Sequence, residues 1–268
     1  MLIQKNPLTM VGTIDRCWLF TYQTPEADAQ RLLPYPLLPV TYRGSAFWNV
    51  VVCHVDGMRP KGAPKALGMC YWHVAYRLYV RYPTGTRVRT PDSPVVDGPE
   101  IQGLYFVRSE CDSKLMAMAG NIMTDFNFHT AEITVDNGRI DVDGADCQGH
   151  TVVSESAPSA LPPYSAFDHL DQAARFLKYK PFGISVDTHG TGNIVRIVRD
   201  ERAWHARLVE AQADWSFFAD KDVRPEICYE VDPIDYQWNR AYRVRPAVQH
   251  ATFPAIAGVL SRRDSPPS

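Results

Sequence analysis

Residues 108–114, "RSECDSK", carry Arg108, Glu110, Asp112 and Lys114, and the smooth segment "LMAMAG" follows at once. A lysine between charged and apolar surroundings is a candidate nucleophile, because an amine that has lost its proton attacks carbonyls and forms an imine. The spacing favours that loss in three ways. Ser113 has N-cap character, "SKLMAMAGNIM" has the composition of a short helix, and Asn121 is a plausible stop. Lys114 then sits in the first turn, where the positive end of the peptide dipoles disfavours an ammonium. Met116, Met118 and Ala119 supply dry surroundings and Arg108 like charge, both lowering the amine's pKa from about 10.4 toward neutrality, while Glu110 and Asp112 oppose them. The same spacing also describes a surface lysine paired with Asp112 or Glu110.

The elements that must position these groups read mainly as strands. "CWLFTYQT" is aromatic and β-branched; "PEADAQRLLP" is a short helix opened by Pro25 and stopped by Pro34. "AFWNVVVCHVDG" is apolar throughout, as a strand buried on both faces would be. "CYWHVAYRLYVRY" alternates, with Val74, Tyr76, Leu78 and Val80 on one face and His73, Ala75, Arg77, Tyr79 and Arg81 on the other. "GLYFVRSE" is a further strand, in which Arg108 and Glu110 share a face. "TPDSPVVDGPE" reads as loop. "AEITVDNGRIDVDG" is a hairpin turning at Asn-Gly. Later, "SESAPSALPPY" is a proline-rich loop, "DHLDQAARFLKY" a helix, and "GNIVRIVRDE" and "AYRVRPAVQHATF" strands; "WHARLVEAQADWSFF" has mixed spacing that fixes neither state. If the faces of His73, Arg77 and Tyr79 and of Arg108 and Glu110 look inward, they line one cavity with two arginines suited to a carboxylate. If they look outward, they form a solvated sheet surface.

Composition bounds the rest. At 268 residues, 45% hydrophobic and with a net charge of −2, the chain has ample material for a core and no basic block for nucleic acid or an anionic membrane. No apolar run approaches the ~20 residues of a membrane helix. The N-terminus lacks the apolar stretch of a signal peptide, so the expectation is a soluble cytoplasmic protein. Six scattered cysteines without a C-x-x-C pair read as free buried thiols, and no residues cluster at metal-ligand spacing. "FNFHTA" places His129 as a structural histidine, and "THGTGN" reads as a turn. The expected organisation is one domain over residues 1–260 with a disordered tail at 261–268.

Residues 14–135, and more loosely 165–215, resemble the acetoacetate decarboxylase superfamily. "DRCWLFTYQTPEADAQRLLPYPLLPV" is similar to the family's opening strand and helix, with its proline–leucine motif standing here as "LLPYPLLP". "GMCYWHVAYRLYV" resembles an active-site strand in which a catalytic glutamate closely follows a tyrosine. "GLYFVRSECDSKLMA" resembles the segment carrying an adjacent lysine pair before a leucine. "WHVAYRLYV", "GLYFVRSECDSKL", "LDQAARFLKY" and "DERAWHARLVEA" are most similar to the uncharacterised YqjF-like branch. The resemblance implies an α+β, mainly antiparallel fold: a closed or strongly curved β-barrel with a few peripheral helices and its active site inside.

Carried over, Lys114 takes one place of the lysine pair. It is either the nucleophile or, if Leu115 anchors the alignment, the second member, with Ser113 in the nucleophile's place. His73 stands where the family has its glutamate, and Arg16 matches the arginine that engages substrate. Two functions follow as expectations. One is a lyase acting on a small oxo-acid by decarboxylation or aldol/dehydration chemistry. In it Lys114, His73 and Glu110 are catalytic, and Arg16, Arg77, Arg108 and Tyr79 hold the substrate. The other is a barrel that keeps its cavity, has lost the lysine chemistry, and binds a small carboxylate-bearing or apolar metabolite. Neither requires a cofactor or metal, neither involves nucleic acid or membrane, and the resemblance also implies a homo-oligomer.

Overall fold

A computed structural model describes residues 5–85, 88–90, 93–96 and 100–246, with side chains undescribed over 86–99. The tail expected at 261–268 lies outside the described residues. Four long strands form the centre of the fold: β1 (Met10–Pro25), β2 (Ser45–Pro60), β3 (Met69–Pro83) and β4 (Glu100–Cys111). They pair antiparallel in chain order. Helix α1 (Glu26–Leu32) follows β1, α2 (Lys114–Met123) follows β4, and α3 (Leu170–Phe176) follows the proline-rich loop.

Two arms leave this centre. One runs from β4 through Phe182–Val186, Gly192–Arg199 and Ile234–Trp238 back to the start of β1, so that seven strands pair in a closed circuit. The seam between β4 and Phe182–Val186 is parallel and thin, with Gly183 opposite Leu104. The other arm leaves the far end of β4, where Ser109–Cys111 lies parallel to Phe128–Thr130, and continues through Phe128–Asp136, Arg139–Gly144, Gln148–Val153 and Ala211–Trp215.

The middle stretches of the central strands therefore have a core on each face. Trp18, Phe20, Trp48, Val50, Val74, Tyr76 and Leu78 pack toward the second arm, with Trp215 and Phe218. Cys17, Leu19, Val51, Cys53, Ala75 and Tyr79 pack toward the inside of the closed circuit. This explains why "AFWNVVVCHV" is apolar at both parities: each face meets a different core.

The local expectations meet the structure unevenly. The Asn-Gly hairpin forms, with Asn137 and Gly138 both at positive φ, as that turn requires. "TPDSPVVDGPE" is not wholly loop, since Val88–Thr90 pairs with Ser93–Val96 in a small hairpin. "AYRVRPAVQHATF" yields only the short strand Tyr242–Val244 before the described residues end. "WHARLVEAQADWSFF" resolves into the strands Ala206–Val209 and Ala211–Trp215 and a single 3-10 turn. Ser113 caps α2, its hydroxyl accepting from the Met116 N–H at 3.2 Å. Asn121 does not stop the helix, which runs on to Met123 with Thr124 as its C-cap. Instead its amide bonds both backbone groups of Phe128 and so ties α2 to the neighbouring strand. Among the described residues no helix is long and apolar enough to cross a membrane, and no group of three His, Cys, Asp or Glu could hold a metal.

Candidate functional site

A cavity of about 180 Å³ lies inside the closed circuit, walled by the inward faces of β1, β2 and β3 and roofed by α2. Most of its lining is apolar. The polar exceptions include His73 and Arg77 on β3, whose odd-numbered residues face inward, Tyr179 from just past α3, and Asn6 and Thr124 from before β1 and after α2. No lysine, aspartate or glutamate is among the described residues that line it.

Arg77 is 6% exposed and has no carboxylate partner among the described residues. One Nη donates to the Asn49 side-chain carbonyl, while Nε is buried without a partner. A relay holds this geometry. The Asn49 amide donates to the Tyr79 hydroxyl at 3.0 Å, and that hydroxyl donates to the Leu177 carbonyl at 2.6 Å. The guanidinium also lies over the Phe106 ring, 5.5 Å from its centroid. A buried guanidinium without an acid beside it is costly. Burial accordingly lowers the Arg77 pKa, and the nearby tyrosine and cysteine groups only partly offset this.

The neighbours are arranged around that charge. His73 Nε2 and the Tyr179 hydroxyl are also buried without partners. Burial, with Arg77 adding to it, lowers His73 to about 3, so its imidazole is neutral at physiological pH. Burial raises Tyr179, and the positive charges of Arg199 and Arg77 work against that rise. Cys53 is pushed up to about 12 and Cys17 well above its usual value, in both cases chiefly by burial, so both are neutral thiols. With the Asn6 amide nitrogen, which also lines the cavity buried without a partner, the described lining carries one positive charge, four unpartnered polar atoms and a greasy wall, which is the make-up of a site for a small apolar anion.

Of the residues expected to converge here, His73 and Arg77 do so and five do not. Lys114 is exposed as the first residue of α2, on the outside of the roof, and does not line the cavity. Arg108 and Glu110 lie on the opposite face of the sheet. The register of β4 against β3 slips between Tyr76 and Arg77, so that Phe106 stands opposite Arg77 and Arg108 opposite Tyr76. The bulge turns Arg108 and Glu110 toward the other core, where they pair at 2.5 Å with Glu110 fully buried. Arg16 is also exposed and stacks over Trp18 and Trp72 on that outer side. Tyr79 faces inward but is fully buried behind the wall, so it positions Arg77 through Asn49 rather than reaching a ligand. Tyr179 was missed, because a tyrosine after a short helix carries no local signal. Asn49 was missed because it reads as an interruption in an apolar strand.

A second, more open hollow of about 820 Å³ lies between Phe20–Tyr22, Pro225–Cys228 and the proline-rich loop. Its buried carboxylate, Glu226, is already held by the Ser165 hydroxyl and the Ala166 N–H, and no cationic side chain is among the described residues that line it. The cavity beneath α2 is the better-built site.

Comparison with known proteins agrees with the architecture. A family described as an uncharacterized conserved protein, DUF2071, matches residues 13–182. No curated protein matches the chain in sequence. Among solved structures, an acetoacetate decarboxylase-like enzyme from Sphingomonas wittichii RW1 is similar at 14% identity and a TM-score of 0.53, covering 91% of this chain and 95% of that one. An acetoacetate decarboxylase from Legionella pneumophila is similar at 11% identity and a TM-score of 0.53, covering 88% and 87%. The enduracididine biosynthesis enzyme MppR, complexed with pyruvate, is similar at 11% identity and a TM-score of 0.52, covering 91% and 92%. At these identities the likeness establishes the fold: a strongly curved, mostly antiparallel sheet of acetoacetate decarboxylase type with peripheral helices.

Proposed function

Since the chain belongs to the DUF2071 family of uncharacterized conserved proteins, we propose that its function lies in the cavity rather than in lysine chemistry: it binds a small, apolar, carboxylate-bearing metabolite, without turnover through an imine. One observation carries this reading. Arg77 is a buried guanidinium lining an apolar cavity, with no acidic side chain among the described residues to neutralise it. A ligand carboxylate would supply the missing charge and accept from Nε, in the planar geometry at which arginine exceeds lysine. Tyr179 and His73 offer further hydrogen bonds at the same end. That a similar fold in MppR is complexed with pyruvate, a small carboxylate, agrees with an acid-binding interior.

The competing reading, a lyase acting through a lysine imine, needs an amine inside the cavity. Lys114 is exposed outside it, and no lysine is among the described lining residues.

Calorimetric titration with hexanoate tests the proposal. Hexanoate is expected to bind the native protein at least 100-fold more tightly than hexanamide, which has nearly the same shape and no charge. Arg77→Met is expected to erase that difference, and Lys114→Ala to leave it intact. Equal binding of acid and amide by the native protein would overturn the proposal. So would a mass adduct on Lys114 after incubation with a short 3-oxo acid and borohydride. The acid–amide comparison needs no variant, so it stands even if Arg77→Met folds poorly.

A further inference from the structure

We infer that the acid taken by this cavity is aromatic, a carboxylate joined through a short linker to a single aryl ring. The inference rests on the carboxylate-binding reading above and deepens it by naming the group that follows the acid. It is carried by the wall beside Arg77, which is built of stacked rings. Phe106 stands opposite Arg77 in the β3–β4 register, and its ring centroid lies 5.5 Å from the guanidinium carbon. Phe126 stacks on Phe106 with the two centroids 4.0 Å apart. Laid end to end, those two steps are no longer than about three residues of extended strand. An acid held at Arg77 therefore meets both rings without a long tail. The series continues from Phe126 to Phe128 at 6.5 Å and from Phe128 to His73 at 5.1 Å, and all four residues line the cavity.

The fold assembles this wall from two places and fixes it. The register slip that takes Arg108 away from the cavity is the one that sets Phe106 against Arg77. The other two rings come from "TDFNFH", just after α2, where every neighbouring polar group is tied down. The Thr124 hydroxyl accepts from the Phe126 N–H at 3.2 Å, and the Asn127 amide donates to the Val107 carbonyl at 2.8 Å. Asn127 itself has a φ of 51°, a left-handed conformation that asparagine tolerates. Asn121 holds both backbone groups of Phe128. A fixed wall of rings selects by geometry. Aromatic pairs favour offset or edge-to-face contact with centroids about 4.5–7 Å apart, and each such pair contributes beyond the area it buries. A saturated ring of similar size, or an alkyl tail, fills the space and gains none of this. The volume suits one ring: about 180 Å³ here, against ~150 Å³ for an engineered dry cavity that admits benzene.

The test is calorimetric titration of the full chain with phenylacetate, cyclohexylacetate and phenylacetamide. Cyclohexylacetate has the same acid on a greasier ring, so a merely apolar wall would prefer it. Phenylacetate is expected to bind at least tenfold more tightly than cyclohexylacetate, and at least 100-fold more tightly than phenylacetamide. Phe126→Leu is expected to bring the two acids within threefold of each other while the amide stays weak. A preference below tenfold in the native protein overturns the aromatic inference and leaves the carboxylate reading in place. An unchanged ratio in folded Phe126→Leu overturns the role given to this wall. Phenylacetamide binding as tightly as phenylacetate, or no binding by either acid, sinks the carboxylate reading and the inference with it. The native comparison needs no variant, so it decides even if Phe126→Leu folds poorly.

Discussion

At the scale of single residues, the site is a set of polar groups held in dry surroundings, and each has a thermodynamic signature. His73 shows this most clearly. Its folded pKa is about 3, below the ~6.5 of an unfolded histidine. Between those values the unfolded state binds the extra proton, so stability rises with pH across that window and is lost as pH falls from about 6.5 toward 3. Its share of the slope is about 1.4 kcal/mol per pH unit. His73→Leu removes this share, so urea midpoints measured between pH 6 and pH 4 are expected to fall less steeply for the variant than for the native protein. An equal slope would mean that the imidazole is hydrated when folded. Alternation along β3 made His73 and Arg77 legible in the sequence as neighbours on one face. The same reasoning misplaced Arg108 and Glu110, because a single-residue bulge in β4 reverses parity and leaves no mark on composition. Lys114 misled for a different reason. Its neighbours in sequence are apolar, but Leu115 and Met118 are themselves exposed, so the helix does not surround its lysine with dry protein.

At the scale of elements, α2 is the piece on which the cavity depends. It is short and has no acidic residue in its first turn, so its start relies on the Ser113 hydroxyl. Ser113→Ala is expected to cost about 1 kcal/mol. Because α2 is the roof, protease cleavage within 114–123 is expected to speed up in step with that loss. A variant with native thermal midpoint and native cleavage rate would show that the cap is redundant. Gly120 sits where the roof meets the wall, and a Cβ there would lie 2.5 Å from the Phe128 ring. That ring stacks on His73 at 5.1 Å, which links roof and site directly. Among elements, the long strands, the two helices with proline or serine starts and the Asn-Gly hairpin were readable, since each announces itself within a dozen residues. The short strands Gln148–Val153, Phe182–Val186 and Ile234–Trp238 were not. Each lacks the length for a periodic signal, and each has one partner far away in the chain: Ala211–Trp215, β4 and β1 respectively.

At the scale of the molecule, the closed circuit has one weak seam. β4 meets Phe182–Val186 through a single parallel pairing, and Gly103 stands at that approach with the Phe182 carbonyl 2.5 Å from where a Cβ would be. Gly103→Ala is expected to push the seam apart, at a cost on the order of 1–3 kcal/mol. Hydrogen exchange would show it as faster exchange of the 182–186 amides, with the β1–β2 amides unchanged; uniform acceleration would mean that the seam does not open on its own. The central strands have a different vulnerability. With apolar residues on both sides, hydrophobicity alone does not penalise sliding one strand by one position past its neighbour, as it does in a half-exposed sheet. Arg77, His73 and Asn49 do penalise it: a one-step slip would bring them from the inward face into the packed aromatics around Trp48 and Tyr76. The polar groups on the inward face therefore also serve as alignment keys for the strands, and a chain that traded them for grease would lose that penalty against the wrong pairing.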